Sequence, residues 1–99
     1  MNPRRGAEIR LTGWILVPAE ERERVDTLLE QHCRLTLAEA GCVAFSVTPS
    51  PDHPDRLTVE ECFTDRAAFD AHQRRTATSE WGVATGHLHR EYTIATGPA

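Results

Sequence analysis

Apolar and polar positions alternate along Glu8-Ile9-Arg10-Leu11-Thr12-Gly13-Trp14-Ile15-Leu16-Val17, with Ile9, Leu11, Ile15 and Val17 in phase. A period of two predicts a β-strand, and Gly13 inside it predicts a bulge or a close backbone approach. Pro18 stops the strand and suits a helix start, where Glu20 and Glu21 complement the helix dipole. The spacing then changes to three and four. Val25, Leu28, Leu29, His32, Leu35 and Thr36 line one face of a long amphipathic helix, for which Gly41 is the expected C-terminal stop. Alternation returns at Val43, Phe45 and Val47, a second strand. The turn formers between Pro49 and Asp55 predict a hairpin loop. A third strand follows, with Leu57, Val59, Glu61 and Phe63 on one face. Thr64 or Asp65 caps a short helix over 65–72, a further helical turn or two surrounds Trp81 within 76–85, and 87–94 forms the last strand, with Leu88, Arg90, Tyr92 and Ile94 in phase.

The order is βαββαβ, a ferredoxin-like α+β arrangement with helices on one side of an antiparallel sheet. It occupies residues 8–95, between a flexible lead (1–7) and a short tail (96–99). The other sheet face carries Trp14, Leu16, Ala44, Cys62 and several threonines. That face is too apolar to stand in water and predicts an association site, met by a homodimer packed sheet to sheet.

Composition narrows the chemistry. Ninety-nine residues allow one domain. The net charge is −4, and all eleven cations are arginine, which removes Schiff-base and lysine-base chemistry. Charges of both signs are interspersed, so no basic stripe invites nucleic acid. No apolar run reaches the roughly 18 residues that a membrane span needs, and the first residues lack the apolar core of a secretory signal. Cys33, Cys42 and Cys62 have neither an even count nor metal-ligand spacing. They are read as reduced, core-packing thiols of a cytoplasmic protein.

Four stretches then resemble the antibiotic biosynthesis monooxygenase domain family. Leu16-Val17-Pro18-Ala19-Glu20-Glu21 is similar to its strand-to-helix junction. Glu39-Ala40-Gly41-Cys42-Val43-Ala44-Phe45 is similar to its E-P-G-C-hydrophobic turn, with Ala40 in the proline place. Asp52-His53-Pro54-Asp55-Arg56 is similar to its acidic hairpin. Glu61-Cys62-Phe63-Thr64-Asp65-Arg66-Ala67-Ala68-Phe69-Asp70-Ala71-His72 resembles its E-x-W-x-[SD]-x-x-A-[LF]-x-x-H signature, with Phe63 replacing tryptophan. The resemblance implies a dimeric α+β barrel, with a pocket between each sheet and its own helices. It also implies oxygenation of quinols or phenolic polyketides without metal or flavin, or, in another branch, haem degradation. The asparagine, tryptophan and histidine of the haem-degrading branch fall on Thr12, His72 and Gly82, and none agrees.

Oxygenation without a cofactor needs a base to ionise a phenol, and a dry pocket to hold the anion against dioxygen. Histidine suits the base role. His72 holds the signature position, although it equally suits a helix C-terminus beside Arg74 and Arg75. His32, on the apolar stripe of the long helix, is the second candidate base or a hydrogen-bonded core residue. Trp81, Phe69 and Tyr92 are candidate pocket walls, and Thr12 and Trp14 candidate substrate contacts from the first strand. Glu61 is expected to point inward and to need a partner such as Arg90. His87 and His89, two apart on one strand face, have metal-ligand spacing but no third ligand, so no metal is assigned. The expected activity is monooxygenation of a phenolic or quinol-type molecule by dioxygen, with no bound cofactor. A non-catalytic ligand binder and an isomerase, cyclase or decarboxylase on the same scaffold are the alternatives.

Overall fold

The computed structural model describes residues 7–97. Strand β1 (Ile9–Leu16) is followed by a single 3-10 turn at Ala19–Glu21 and helix α1 (Arg22–Leu37). Strands β2 (Cys42–Pro49) and β3 (Arg56–Phe63) form the hairpin. Helices α2 (Arg66–Thr78) and α3 (Glu80–Thr85) precede β4 (Arg90–Thr96). The four strands make one antiparallel sheet in the order β2-β3-β1-β4. This is the ferredoxin-like α+β fold that the element order predicts.

The strand register decides which side chains meet the helices. Leu11 pairs with Glu61 and Ile94, and Glu61 pairs with Phe45. Opposite residues share a face, so Phe45, Glu61, Leu11 and Ile94 form one row beneath the helices. Ile9, Leu11, Ile15, Leu57, Val59 and Phe63 occupy the same face and are almost wholly buried. Each such aliphatic or aromatic side chain contributes about 1.5–3 kcal/mol through its removal from water. From α1, Val25, His32 and Thr36 complete this layer, while Leu28 and Leu29 pack partly against it.

The structure departs from these expectations in five places. Helix α1 ends at Leu37, and Gly41 does not adopt a left-handed conformation. Its use is steric: a Cβ there would lie 2.3 Å from Cβ of Ala68, so the α1–β2 junction touches α2 only because glycine stands there. Leu35 is 46% exposed and leaves the apolar stripe. A β-bulge between Cys42 and Ala44 turns Cys42 inward and leaves Val43 exposed, so Val43 does not share the face of Phe45 and Val47. Helix α2 is longer than expected. Asp65 caps it by accepting from Ala68 N (2.9 Å), and it runs to Thr78, so His72 lies within the helix and not at its end.

Strand β4 begins only at Arg90 and continues through Thr96. His87 and His89 therefore do not form a strand pair: His87 bonds Glu21 (2.7 Å), while His89 bonds Glu91 and packs edge-on against Trp14. Among the described residues, no helix is long and apolar enough to cross a membrane. Residues 1–6 and 98–99 of the expected lead and tail lie outside the described part.

Candidate active site

Three helices and two strands converge on His72. The helical period places Phe69, His72, Arg75 and Thr76 on one face of α2, directed at the sheet and at the α1–β2 junction. His72 is 2% exposed. Its Nδ1 lies 2.8 Å from Oε1 of Glu39, and Arg75 Nε donates to the other oxygen of that carboxylate (2.9 Å). Arg75 also donates to Thr36 Oγ1 (3.0 Å), which ties α2 to α1. A carboxylate paired with arginine only accepts, so the proton of neutral His72 sits on Nδ1 and Nε2 is the free base position. Nε2 faces Thr76 Oγ1 at 3.4 Å and Glu61 Oε1 at 3.8 Å.

An aromatic cage surrounds this pair. His32 stacks on Trp81, with ring centroids 5.0 Å apart and planes within 6° of parallel. Phe45 meets His32 edge-on at 5.4 Å, and Phe63 lies 4.8 Å from His72. The two imidazoles are 5.9 Å apart. His32 is 4% exposed, and its Nδ1 is buried without a partner.

The electrostatics follow from dryness. Burial, with the neighbouring His72, lowers His32 to about 4, so it is a neutral ring at ordinary pH. Burial also lowers His72, opposed by its bond to Glu39. Glu61 moves the other way: burial, aided by the charge of Glu39, raises its carboxyl to about 7. Tyr92 is held near 12, mainly by desolvation.

Beyond this cluster the helix-facing side of the sheet is uncovered along β4. Tyr92 and Ile94 belong by register to the helix-facing side, yet remain 38% and 48% exposed, because the helices leave that edge uncovered. The ring of Tyr92 lies over Gly13, where a Cβ would meet Tyr92 Cδ1 at 2.7 Å and Glu91 O at 2.0 Å. Gly13 thus provides the close approach that its mid-strand position predicts.

A family model for antibiotic biosynthesis monooxygenases matches residues 9–82, from the first residue of β1 into α3. The chain belongs to the antibiotic biosynthesis monooxygenase family. Solved structures with the same fold include a conserved protein from Methanosarcina mazei Go1. It is 22% identical, with a TM-score of 0.77, over 94% of this chain and 95% of that one. A Nitrosomonas europaea protein described as a candidate antibiotic biosynthesis monooxygenase is 18% identical, with a TM-score of 0.77 over 95% and 93%. A Shewanella oneidensis protein is 24% identical, with a TM-score of 0.70 over 94% and 95%. At these identities the likeness concerns the fold. A comparison with curated proteins gives no match.

Of the residues singled out in this family member's sequence, His32, His72 and Trp81 come together in one buried cluster. Trp81 is 6% exposed and lies within the cluster, stacked on His32. Phe69 packs on Phe63 (5.9 Å), one ring removed from His72. Tyr92 lies at the open edge of the same face. Thr12 and Trp14 do not join them: their positions in β1 point to the opposite face of the sheet, where Arg56 covers Trp14 at 3.9 Å. The expected Glu61–Arg90 pair is absent as well: Arg90 donates to Thr85 O (2.8 Å), and Glu61 Oε1 lies 3.8 Å from His72 Nε2.

Glu39, Arg75 and Thr36 are the residues that sequence reasoning missed. Their signal was faint: His72 and Arg75 stand three apart on one helix face, which calls for an acceptor opposite them. Only the fold brings Glu39 there, from 33 residues away.

Proposed function

We propose that this protein is a cofactor-independent monooxygenase acting on a phenolic or quinol-type aromatic molecule. The observation that carries the reading is the bond from half-buried Glu39 to buried His72, which leaves Nε2 as an oriented base inside an aromatic cage. Family membership supports the reaction class.

His72 is the base, and a substrate ring rests on the uncovered Tyr92–Ile94 edge. Loss of the phenolic proton makes an electron-rich anion. That anion passes one electron to dioxygen, and the two radicals combine to form a ring C–O bond. The peroxide O–O bond then breaks as the ring C–H proton leaves. One oxygen stays on the product as a quinone carbonyl, and the other departs as water. The phenol supplies all four electrons and both protons of that water, so no external reductant is required. The low polarity of the cage excludes bulk water from the intermediates. His32 and Trp81 form its wall. The apolar outer face of the sheet, with Trp14, pairs with the same face of a second chain in a homodimer.

The test is incubation with a panel of monophenols and hydroquinones, with and without air. Oxygenated product that forms only in air and is lost with His72→Asn supports the reading. Product formed equally without air, or no turnover of any member, overturns it. Thermal stabilisation by the same phenols without turnover would assign the site to binding alone.

A further inference from the structure

Glu61 is the one carboxylate of the sheet's helix-facing side, and the family reaction as derived above makes no use of it. Its side chain is 8% exposed. Its Oε1 is buried without a hydrogen-bond partner and lies 3.8 Å from His72 Nε2. A buried carboxyl with an unpaired oxygen is destabilising when nothing compensates it, so a fold without a use for it would be better served by an apolar residue. Its place in the register is equally telling. Ile94, Leu11, Glu61 and Phe45 form one row across the sheet, exposed at Ile94, buried at Leu11 and half-buried at Phe45.

We propose that Glu61 is the proton-exchanging carboxyl of this site, lying in the row between the uncovered β4 edge and His72 Nε2 and passing the substrate's proton to the imidazole. The inference rests on the function proposed above and deepens it. The transfer balances without any change of oxidation state. The Glu61 O–H bond breaks as its proton moves to His72 Nε2. The substrate O–H bond breaks as its proton moves to the other Glu61 oxygen. Phenolate and imidazolium remain, and Glu61 is again a neutral carboxyl.

The surroundings suit this role. Around Glu61 stand Leu11 from β1 and Phe45 from β2 in its own row, His72 from α2 at 3.8 Å, Glu39 from the α1–β2 junction and Tyr92 from β4, with Arg75 and His32 beside His72 and Arg90 farther along β4. Arg90 donates to Thr85 O through Nη2, and Arg75 to Glu39 and Thr36 through Nε and Nη2, while Arg90 Nε and Arg75 Nη1 stay buried without a partner. Tyr92 stays a neutral phenol, and His32 a neutral ring. Among the described residues no arginine pairs with Glu61, and burial, aided by the charge of Glu39, raises its carboxyl to about 7, where it can both give and take a proton. The 3.8 Å gap exceeds a hydrogen bond, and such contacts tighten when substrate fills the site.

The test is a pH titration of the ¹⁵N-histidine-labelled chain by NMR, wild type against Glu61→Gln, without substrate. The expected result is an inflection of the His72 ring nitrogens near neutral pH that the variant loses. Superimposable His72 curves in the two folded proteins overturn the proposal. Should Glu61→Gln not fold, Glu61→Asp draws the carboxyl back along its side chain and is expected to weaken the inflection; an unchanged inflection overturns the proposal there too. With a phenol that the wild type oxygenates, Glu61→Gln is expected to lower kcat about 100-fold, with KM within about threefold and a flattened pH profile. An unchanged kcat also overturns it. If the wild type turns over no phenol, the oxygenase reading fails, and the NMR comparison alone decides whether Glu61 and His72 exchange a proton.

Discussion

Glu39 holds His72 and Arg75 with its two oxygens, at 2.8 and 2.9 Å. It lies in the short junction after α1 and fixes which imidazole nitrogen carries the proton, from outside the reaction space. Replacing it with glutamine keeps the shape but removes the charge and one acceptor. Either imidazole tautomer can then form, and the Arg75 guanidinium loses its ion pair. Glu39→Gln is expected to cost about 1–3 kcal/mol of stability and at least tenfold in kcat, with substrate affinity little changed. Urea melts and steady-state kinetics on the same preparation check both. A variant with wild-type kcat would remove Glu39 from the account.

At the scale of elements, one glycine governs how that junction meets α2. Any side chain at Gly41 collides with Ala68, and the collision pushes apart the elements that carry Glu39 and His72. Gly41→Ala is expected to destabilise the fold by about 1–3 kcal/mol, as overpacking does. Gly41→Ala combined with Ala68→Gly should recover most of that loss, and thermal melts of the single and double variants measure it. Equal melting of the wild type and the single variant would mean that the junction yields freely.

Elements were also where the sequence was most legible. Period-two alternation marked β1 and β3, and the three-and-four spacing marked α1, because each has one face against the core and one toward water. Val43 misled because the bulge inserts one residue into β2 and exchanges inward for outward. The early start expected for β4 has a similar origin, since His87 and Leu88 continue the alternation while forming a turn. The histidine cluster was only half legible. The stripe of α1 selected His32 and the signature selected His72, but their convergence with Glu39 and Arg75 depends on tertiary packing. Thr12 and Trp14 were misplaced for a simple reason: in a strand, adjacent residues face opposite ways, and the site uses the face of Leu11.

Across the whole molecule, two buried groups oppose each other in pH. His32 falls from 6.5 to about 4 on folding. Its unfolded form therefore takes up a proton first, and stability drops as pH falls from about 6.5 to 4. His72, also lowered, acts in the same sense. Glu61 rises from 4.5 to about 7. Its unfolded form loses its proton first, and stability drops as pH rises from about 4.5 to 7. Each effect is worth about 3 kcal/mol at its limit, and the two overlap and largely cancel near pH 5.5. Single variants should expose them. Glu61→Gln should show stability that rises from pH 4 to 6.5 and then levels, while His32→Phe should lessen the loss on the acid side. Urea melts at four pH values between 4.5 and 7.5 measure the slopes, and variants that run parallel to the wild type would contradict the buried, neutral states assigned to both groups.

The central claim is that His72, oriented by Glu39, activates an aromatic substrate for direct attack by dioxygen. The most direct measurement is a short incubation of a phenol that the protein oxidises under ¹⁸O₂, with wild type and His72→Asn compared by mass spectrometry. The account predicts one labelled oxygen in the product, the other in water, and product formation at least about 100-fold slower with the variant. A product without label, or a labelled product formed equally fast by His72→Asn, would contradict it.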